Sequence, residues 1–574
     1  MQPTTHSQRR EPRGRVAALQ QRRLVAVLAM GLSLIAGLLI TPQVAHAAWT
    51  DTAYTYDGSA GSTLSDRWRA FAPSYVIYAD ARSTVEAAQV IDDLAIAGHI
   101  DEYKTEAVVM TPSNGTSWDA TADLANFEAF ERSLASRYAL NNLKVIGIGS
   151  GATFVNNVLS QHAFTVAGIL TYGGTIDPTL TSTIPVPTYV HAERAVADYY
   201  IDANDAVRTE QAGQTGYYRN PDKNLSLQQV VFSKQSDKKE SVAAAFQNAW
   251  KTVFSKNYRF SMNEIEFYAA GFDPLANPNT WRLDTYPMYD ELGITVNTML
   301  QDVTGAGVSL WHEYLPKSTT RAKAHTVPLV VMLHGNGNDN RTQAETSGWP
   351  EFAAKNNIML VAPEWQGSSG YTALGDAGTM ALLDLLFAKY PQIDPSRVYL
   401  TGLSAGAMSS YGFGANNVQK IAAVAGSSAP FAPASLLTTV ENEKVPGNYL
   451  PMYTIAGTAD MYHPLPVKTT GLYTAIRAYA LLNDITVQPV ADLTLNPLFG
   501  TTLDGPGWTQ LAGTPAMIGT FSNDQGVMIK LVGLDPYAHW NYKPAISDIW
   551  AFLSQYSRNM TTGELIITPG HGPK

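Results

Sequence analysis

No cysteine occurs in the 574 residues. Disulfide stapling, thiolate nucleophiles and cysteine-ligated zinc are therefore excluded. Charged residues are sparse, 15% of the chain against 45% hydrophobic, which is a globular balance and not a disordered one. The formal net charge is −10, and no basic patch stands out beyond the N-terminus, so nucleic acid is not an expected partner. No metal cluster, P-loop or dinucleotide fingerprint appears, and no cofactor is expected. The stretch Gly147-Ile148-Gly149-Ser150-Gly151 lacks the G-x-G-x-x-G spacing. Long apolar runs are missing too, with one exception. Leu24 to Ile40 is uncharged and apolar, follows Arg9, Arg10, Arg13, Arg15, Arg22 and Arg23, and precedes Pro42 and Ala45-His46-Ala47. Basic, apolar and small-residue segments in that order read as a secretory signal, residues 1–47, cut after Ala47. The expected destination is extracellular, with no stable membrane span after cleavage. The rival is an uncleaved anchor, because the run approaches membrane-spanning length; the mass of the mature chain separates the two.

The length suits two domains. From Val327 onward, apolar strand-like runs alternate with helical stretches: 328–333, 358–362, 397–401, 421–425, 452–456 and 527–532 as strands, 376–390 and 544–556 as helices. That alternation predicts a mostly parallel sheet covered on both faces. The first half repeats the grammar. Lys144-Val145-Ile146-Gly147-Ile148-Gly149-Ser150-Gly151-Ala152 parallels Tyr399-Leu400-Thr401-Gly402-Leu403-Ser404-Ala405-Gly406-Ala407, and Val108-Val109-Met110-Thr111-Pro112 parallels Leu360-Val361-Ala362-Pro363. We therefore expect an α/β protein of two tandem domains of one fold, residues 48–285 and 286–560, each a mostly parallel sheet flanked by helices. Residues 215–300 read as a less regular connector and 561–574 as a loose tail.

The chemistry gathers in the second half. In Gly402-Leu403-Ser404-Ala405-Gly406 a serine stands between a strand and a helix. Presenting its Oγ needs a very tight turn, and glycines two residues to either side remove the side chains that would clash. A serine nucleophile needs a base, and the base an orienting acid. Asp460 closes Gly457-Thr458-Ala459-Asp460 directly after a strand and is the favoured acid; Asp492, Asp504, Asp524 and Asp535 are less well placed. His539, between the last strand and the closing helix, is the favoured base, with His463 and His571 the other histidines after Asp460. The backbone N–H of Ala405 and that of Asn336, with Gly335 as the alternative, would form an oxyanion hole. His334 reads as a loop-packing residue. Trp365, Tyr462 and Trp540, and Trp349 beside them, are candidates for a substrate pocket or for plain packing.

Residues 309–557 resemble the polyhydroxybutyrate-depolymerase and feruloyl-esterase group of α/β-hydrolases. The resemblance is carried by Leu333-His334-Gly335, by the run Ile393-Asp394-Pro395-Ser396-Arg397-Val398-Tyr399-Leu400-Thr401-Gly402-Leu403-Ser404-Ala405-Gly406-Ala407-Met408, by Gly457-Thr458-Ala459-Asp460 and by His539-Trp540. It implies Ser404 as nucleophile, Asp460 as acid, His539 as base, and a secreted carboxylic-ester hydrolase acting through an acyl-enzyme on a small or oligomeric ester. The first half aligns as a degenerate copy, with Gly149 where Ser404 stands, and is expected to be inert. Two rivals keep the same residues in view: a secreted peptidase using the triad on amides, and a non-catalytic surface- or carbohydrate-binding protein on a vestigial hydrolase fold. Protein partners are not readable.

Overall fold

In a parallel sheet with helices on both sides, successive residues of a strand face two different cores. Tyr75 and Ile77 join one buried cluster with Ala87, Ile91, Ala245 and Phe246, whereas Val76 and Tyr78 join another with Phe127, Phe130, Phe154 and Val196. The computed structural model describes residues 53–57, 73–103, 105–136, 142–222, 227–234, 240–261, 281–336, 338–367, 371–429, 432, 434–444, 447–460, 462, 464–466 and 472–568. The expected signal segment lies outside them. Among the described residues, no helix is long and apolar enough to cross a membrane.

The first sheet has nine strands: β1 (Ala53–Asp57), β2 (Ser74–Tyr78), β3 (Glu106–Met110), β4 (Leu143–Ile148), β5 (Val166–Tyr172), β6 (Thr188–His191), β7 (Val207–Ala212), β8 (Thr215–Arg219) and β9 (Gln229–Ser233). Their order is β1-β3-β2-β4-β5-β6-β9-β8-β7. The stretch from β3 to β9 is parallel, and β1 and the β8–β7 ribbon are antiparallel at the two ends. A two-stranded sheet follows, β10 (Asn257–Ser261) with β11 (Trp281–Thr285).

The second sheet has ten strands: β12 (Ile294–Asp302), β13 (Val308–Pro316), β14 (Val327–Leu333), β15 (Met359–Pro363), β16 (Ile393–Leu403), β17 (Ala423–Ser427), β18 (Met452–Gly457), β19 (Thr502–Leu511), β20 (Thr514–Asn523) and β21 (Gly526–Leu534). Their order is β12-β13-β15-β14-β16-β17-β18-β21-β20-β19, with β15 to β21 parallel. Taken strand by strand, β3-β2-β4-β5-β6-β9-β8-β7 has the same connectivity as β15-β14-β16-β17-β18-β21-β20-β19. The tandem α/β architecture expected from the sequence is present, with one extra antiparallel edge strand, β12, in the second copy. The central strands are unbroken apolar runs because both of their faces are covered; every residue of Val327–Leu333 and Met359–Pro363 is buried.

Two expectations are corrected. Thr215–Arg219 and Gln229–Ser233 are not connector: they are β8 and β9, and β9 is buried beside β6. Residues 561–568 are not loose. A last pair, β22 (Tyr556–Arg558) with β23 (Leu565–Ile567), holds them. Arg558, 1% exposed, donates to the carbonyls of Ile421 at 2.7 Å, Tyr449 at 2.6 Å and Gly563 at 3.2 Å. Such a buried guanidinium requires fixed acceptors, and they order the chain around it.

Candidate active site

Strand β16 ends at Leu403, and the helix Ala405–Asn416 begins two residues later. Ser404 makes the whole turn, with φ 53° and ψ −115°. A side-chain-bearing residue rarely adopts that conformation. The flanking glycines are dictated by backbone contact. A Cβ on Gly402 would lie 2.3 Å from the Gly406 carbonyl carbon, and one on Gly406 would lie 2.1 Å from the Leu333 carbonyl oxygen. The helix is thus pressed onto the end of β14, and its first-turn N–H groups, Ala405 included, have no intrahelical partners. Ser404 N–H donates to Ser427 O at 2.9 Å, and the Ser404 side chain is half-buried.

The loops after β18 and β21 are zipped together. Thr458 N–H donates to Leu534 O at 2.8 Å and Ala459 N–H to Tyr537 O at 2.9 Å, while a Cβ on Gly457 would fall 1.7 Å from Tyr537 O. This brings together two residues 79 apart in sequence: His539 Nδ1 lies 3.0 and 3.1 Å from the two carboxylate oxygens of Asp460. Both are buried, at 9% and 2% exposure. A carboxylate facing Nδ1 fixes the hydrogen there and leaves the Nε2 lone pair to accept a proton. Tyr462 N–H donates to Asp460 Oδ1 at 2.9 Å and orients it. Asp535 instead accepts from the Thr458 hydroxyl, and Asp492 caps its own turn at Thr494.

Ser404 and this pair are linked through β17. Ser427 accepts from Ser404, and the next residue, Ser428, donates its hydroxyl to Trp540 O at 3.3 Å, one residue beyond His539. Among the described residues no hydrogen bond joins the Ser404 hydroxyl to His539. Such bonds often tighten only when substrate binds.

The 334–336 loop holds a pair whose acidic member the sequence reasoning missed. His334 is fully buried; its Nδ1 lies 2.9 Å from Gly335 O and its Nε2 3.1 Å from a Glu364 oxygen. A carbonyl has no proton to give, so Nδ1 carries the hydrogen, and Nε2 faces the Glu364 carboxyl. C=O and N–H point oppositely across a trans peptide. Fixing Gly335 O on His334 therefore turns the Asn336 N–H the other way. Glu364 had a signal in the sequence, an acidic residue one step past an apolar strand in Pro363-Glu364-Trp365. Trp365 donates Nε1–H to His334 O at 3.0 Å, so its indole braces the loop. Tyr462, 42% exposed, stands edge-on to His539 with ring centroids 4.8 Å apart. Trp540 is half-buried against Tyr258. Trp349 is core, 1% exposed and edge-on to Trp550 at 6.1 Å.

At the matching turn in the first half, Gly149 has φ 60° and ψ −121°, the backbone conformation of Ser404. Ser150 points its hydroxyl at Asp80, which lies just past β2, where the second half has its 334–336 loop. His191, at the end of β6, is buried with Nδ1 3.2 Å from Glu240 and is stacked on Tyr172. Among the described residues, no three histidine or acidic side chains converge to hold a metal ion.

No protein-family model matches the chain. The bifunctional acetylxylan esterase/xylanase XynS20E of Neocallimastix patriciarum is 27% identical over 259 residues, 44% of this chain and 34% of that protein, so the chain spans about a third of the length of this relative. Among solved structures, an acetyl xylan esterase from Aspergillus awamori aligns with 45% of this chain and 99% of its own, at 13% identity and a TM-score of 0.34. A ferulic acid esterase aligns with 33% of this chain and 85% of its own, at 16% identity and a TM-score of 0.27. The chain is thus distantly similar in sequence to an esterase.

Proposed function

We propose that the chain is a secreted serine carboxylic-ester hydrolase working through Ser404, His539 and Asp460. The observation that carries this is the buried Asp460–His539 hydrogen bond, 3.0 Å long, after the neighbouring strands β18 and β21 of the sheet whose strand β16 presents Ser404, with β17 between β16 and β18. His539 Nε2 takes the Ser404 proton as Oγ attacks the ester carbonyl. The oxyanion is held by the N–H groups of Ala405 and Asn336. The imidazolium returns its proton to the leaving alcohol, and a water molecule, deprotonated by the same nitrogen, releases the acid from the acyl-serine. Asp460 stays ionised throughout and stabilises the imidazolium.

The first half supplies no nucleophile, because glycine stands at its turn. The carboxylate of Asp80 beside that turn would oppose any developing oxyanion. Short acyl esters on a polysaccharide, acetyl before feruloyl, are the substrates to test first, by analogy with the acetylxylan esterase relative. A panel of chromogenic acetyl, feruloyl and hydroxybutyryl esters, run with wild type and Ser404→Ala, tests the proposal. Hydrolysis of at least one ester that Ser404→Ala abolishes supports it; hydrolysis that survives the substitution refutes it.

A further inference from the structure

The two faces of β10 belong to different halves of the protein. Asn257 and Arg259 turn toward the first half. The buried Lys144 ammonium donates to Asn257 O at 2.9 Å and to its Oδ1 at 3.0 Å. Arg259 donates to Phe164 O at 2.8 Å and also to Pro185 O. Burial lowers Arg259 to about 9 and Lys144 well below the usual lysine value. Buried cations hold so well-defined a position only where fixed oxygens meet them, so this face of β10 is firmly seated.

Tyr258, between them, points the opposite way by strand alternation. It is 1% exposed and packs against Trp540, with Tyr286 edge-on at 5.1 Å. Lys543 lies over its ring at 5.4 Å, donates to Thr285 O on β11 at 2.7 Å, and sits 3.6 Å from Asp284 and 3.5 Å from Glu351. Trp540 and Lys543 belong to the short segment that begins at His539. Its other side is tied by Ser428 to Trp540 O at 3.3 Å and by Asn541 Nδ2 to the Thr346 hydroxyl at 2.8 Å. The His539 segment is therefore clamped between β17 and the helix Asn340–Ser347 on one side and the β10–β11 pair on the other.

We infer that Tyr258 and Lys543 are positioning residues for His539, through which the first half and the β10–β11 pair set the placement of the base. On this view the half without a nucleophile is part of the catalytic apparatus. The inference rests on the proposed Ser404–His539–Asp460 reading. Misplacing a general base by about 1 Å costs on the order of 100-fold in rate, so the effect belongs in kcat and leaves KM nearly unchanged.

The test uses the full chain and a chromogenic acetate ester, with kcat, KM and thermal unfolding measured for Tyr258→Ala, Tyr258→Phe, Lys543→Met and, in parallel, Ser404→Ala. Tyr258→Ala is expected to lower kcat by about 10- to 100-fold with KM within about threefold. Tyr258→Phe, which keeps the ring on Trp540, is expected to restore most of it. Lys543→Met should lower kcat in the same sense. A folded Tyr258→Ala with wild-type kcat, or a Tyr258→Phe as impaired as the alanine variant, overturns the inference. If Tyr258→Ala does not fold, Lys543→Met decides: wild-type kcat overturns the inference, and a kcat loss at constant KM supports it. Activity retained by Ser404→Ala would instead refute the triad itself. An inactive Ser404→Ala beside a fully active Tyr258→Ala would refute only the positioning role.

Discussion

Gly406 lies directly on the carbonyl of Leu333, so that a Cβ there would come within 2.1 Å of the oxygen; in the first half Gly151 lies on Tyr78 in the same way, at 2.2 Å. In each copy a helix is seated on the neighbouring strand end through one glycine. The obstacle is backbone, which cannot swing aside as a side chain can. Gly406→Ala should therefore cost about 1–3 kcal/mol of stability and separate Ala405 from the 334–336 loop, with loss of turnover. Gly412, in the same helix with nothing within 4 Å of its would-be Cβ, is the control. Gly412→Ala should be neutral or stabilising by up to about 1 kcal/mol. Denaturant titration of both variants checks the contrast.

The turn at Ser404 is strained, and glycine relieves it. With φ 53° and ψ −115°, a residue carrying a Cβ costs on the order of 1–3 kcal/mol relative to an unstrained backbone. Ser404→Gly is expected to be inactive and more stable than Ser404→Ala by about 1–2 kcal/mol. Gly149→Ser, at φ 60° and ψ −121°, should lose stability of similar size. An alanine variant as stable as the glycine variant would show that the turn is not strained.

Glu364 meets His334 Nε2 at 3.1 Å, and the proposed oxyanion loop is expected to depend on that contact. Glu364→Gln can still donate to Nε2 and should retain activity within a few-fold. Glu364→Leu leaves Nε2 without its acceptor or donor, frees the Gly335–Asn336 peptide to rotate, and should cost kcat about as much as removing one oxyanion donor, on the order of 100-fold. Steady-state kinetics on the two variants, with thermal unfolding to establish folding, separates a loop-orienting role from bulk packing.

In the first half, burial pushes the Glu131 carboxyl up to about 8, against the opposing pull of the Thr165 hydroxyl. The unfolded value is about 4.3. Between these values the folded chain binds the extra proton, so the contribution to stability is complete below about pH 4.3 and is lost as pH rises through about 8. Glu131→Gln keeps an acceptor for Thr165 and removes the titration. The fall in Tm between pH 5 and pH 8.5 should be smaller in Glu131→Gln than in wild type; equal falls would place the carboxyl at an ordinary value.

The parallel cores were legible because strands buried on both faces are written as continuous apolar runs, Val327–Leu333 being the clearest. The antiparallel ends were not. β19 is almost wholly exposed along Thr502–Leu511, so it has neither an apolar run nor clean alternation, and β8 was hidden by its polar, glycine-containing sequence Thr215–Arg219. At the site, Asp460 and His539 were legible from their places after strands. Tyr258 was not, because what marks it is a contact distant in sequence, with Trp540; Glu364 carried the same signal as Asp460, an acidic residue just past an apolar strand, but the partner that gives it a role, His334, lies 30 residues before it.

The central claim is that Ser404 is a nucleophile activated by His539 and Asp460. Covalent labelling with a fluorophosphonate, read by intact mass and peptide mapping, tests it most directly, since the reagent reports an activated serine whatever the natural ester is. Wild type should gain one adduct, on Ser404; Ser404→Ala should gain none, and His539→Ala should label more slowly by several orders of magnitude. An unlabelled wild type, an adduct on another residue, or undiminished labelling of His539→Ala would contradict the account.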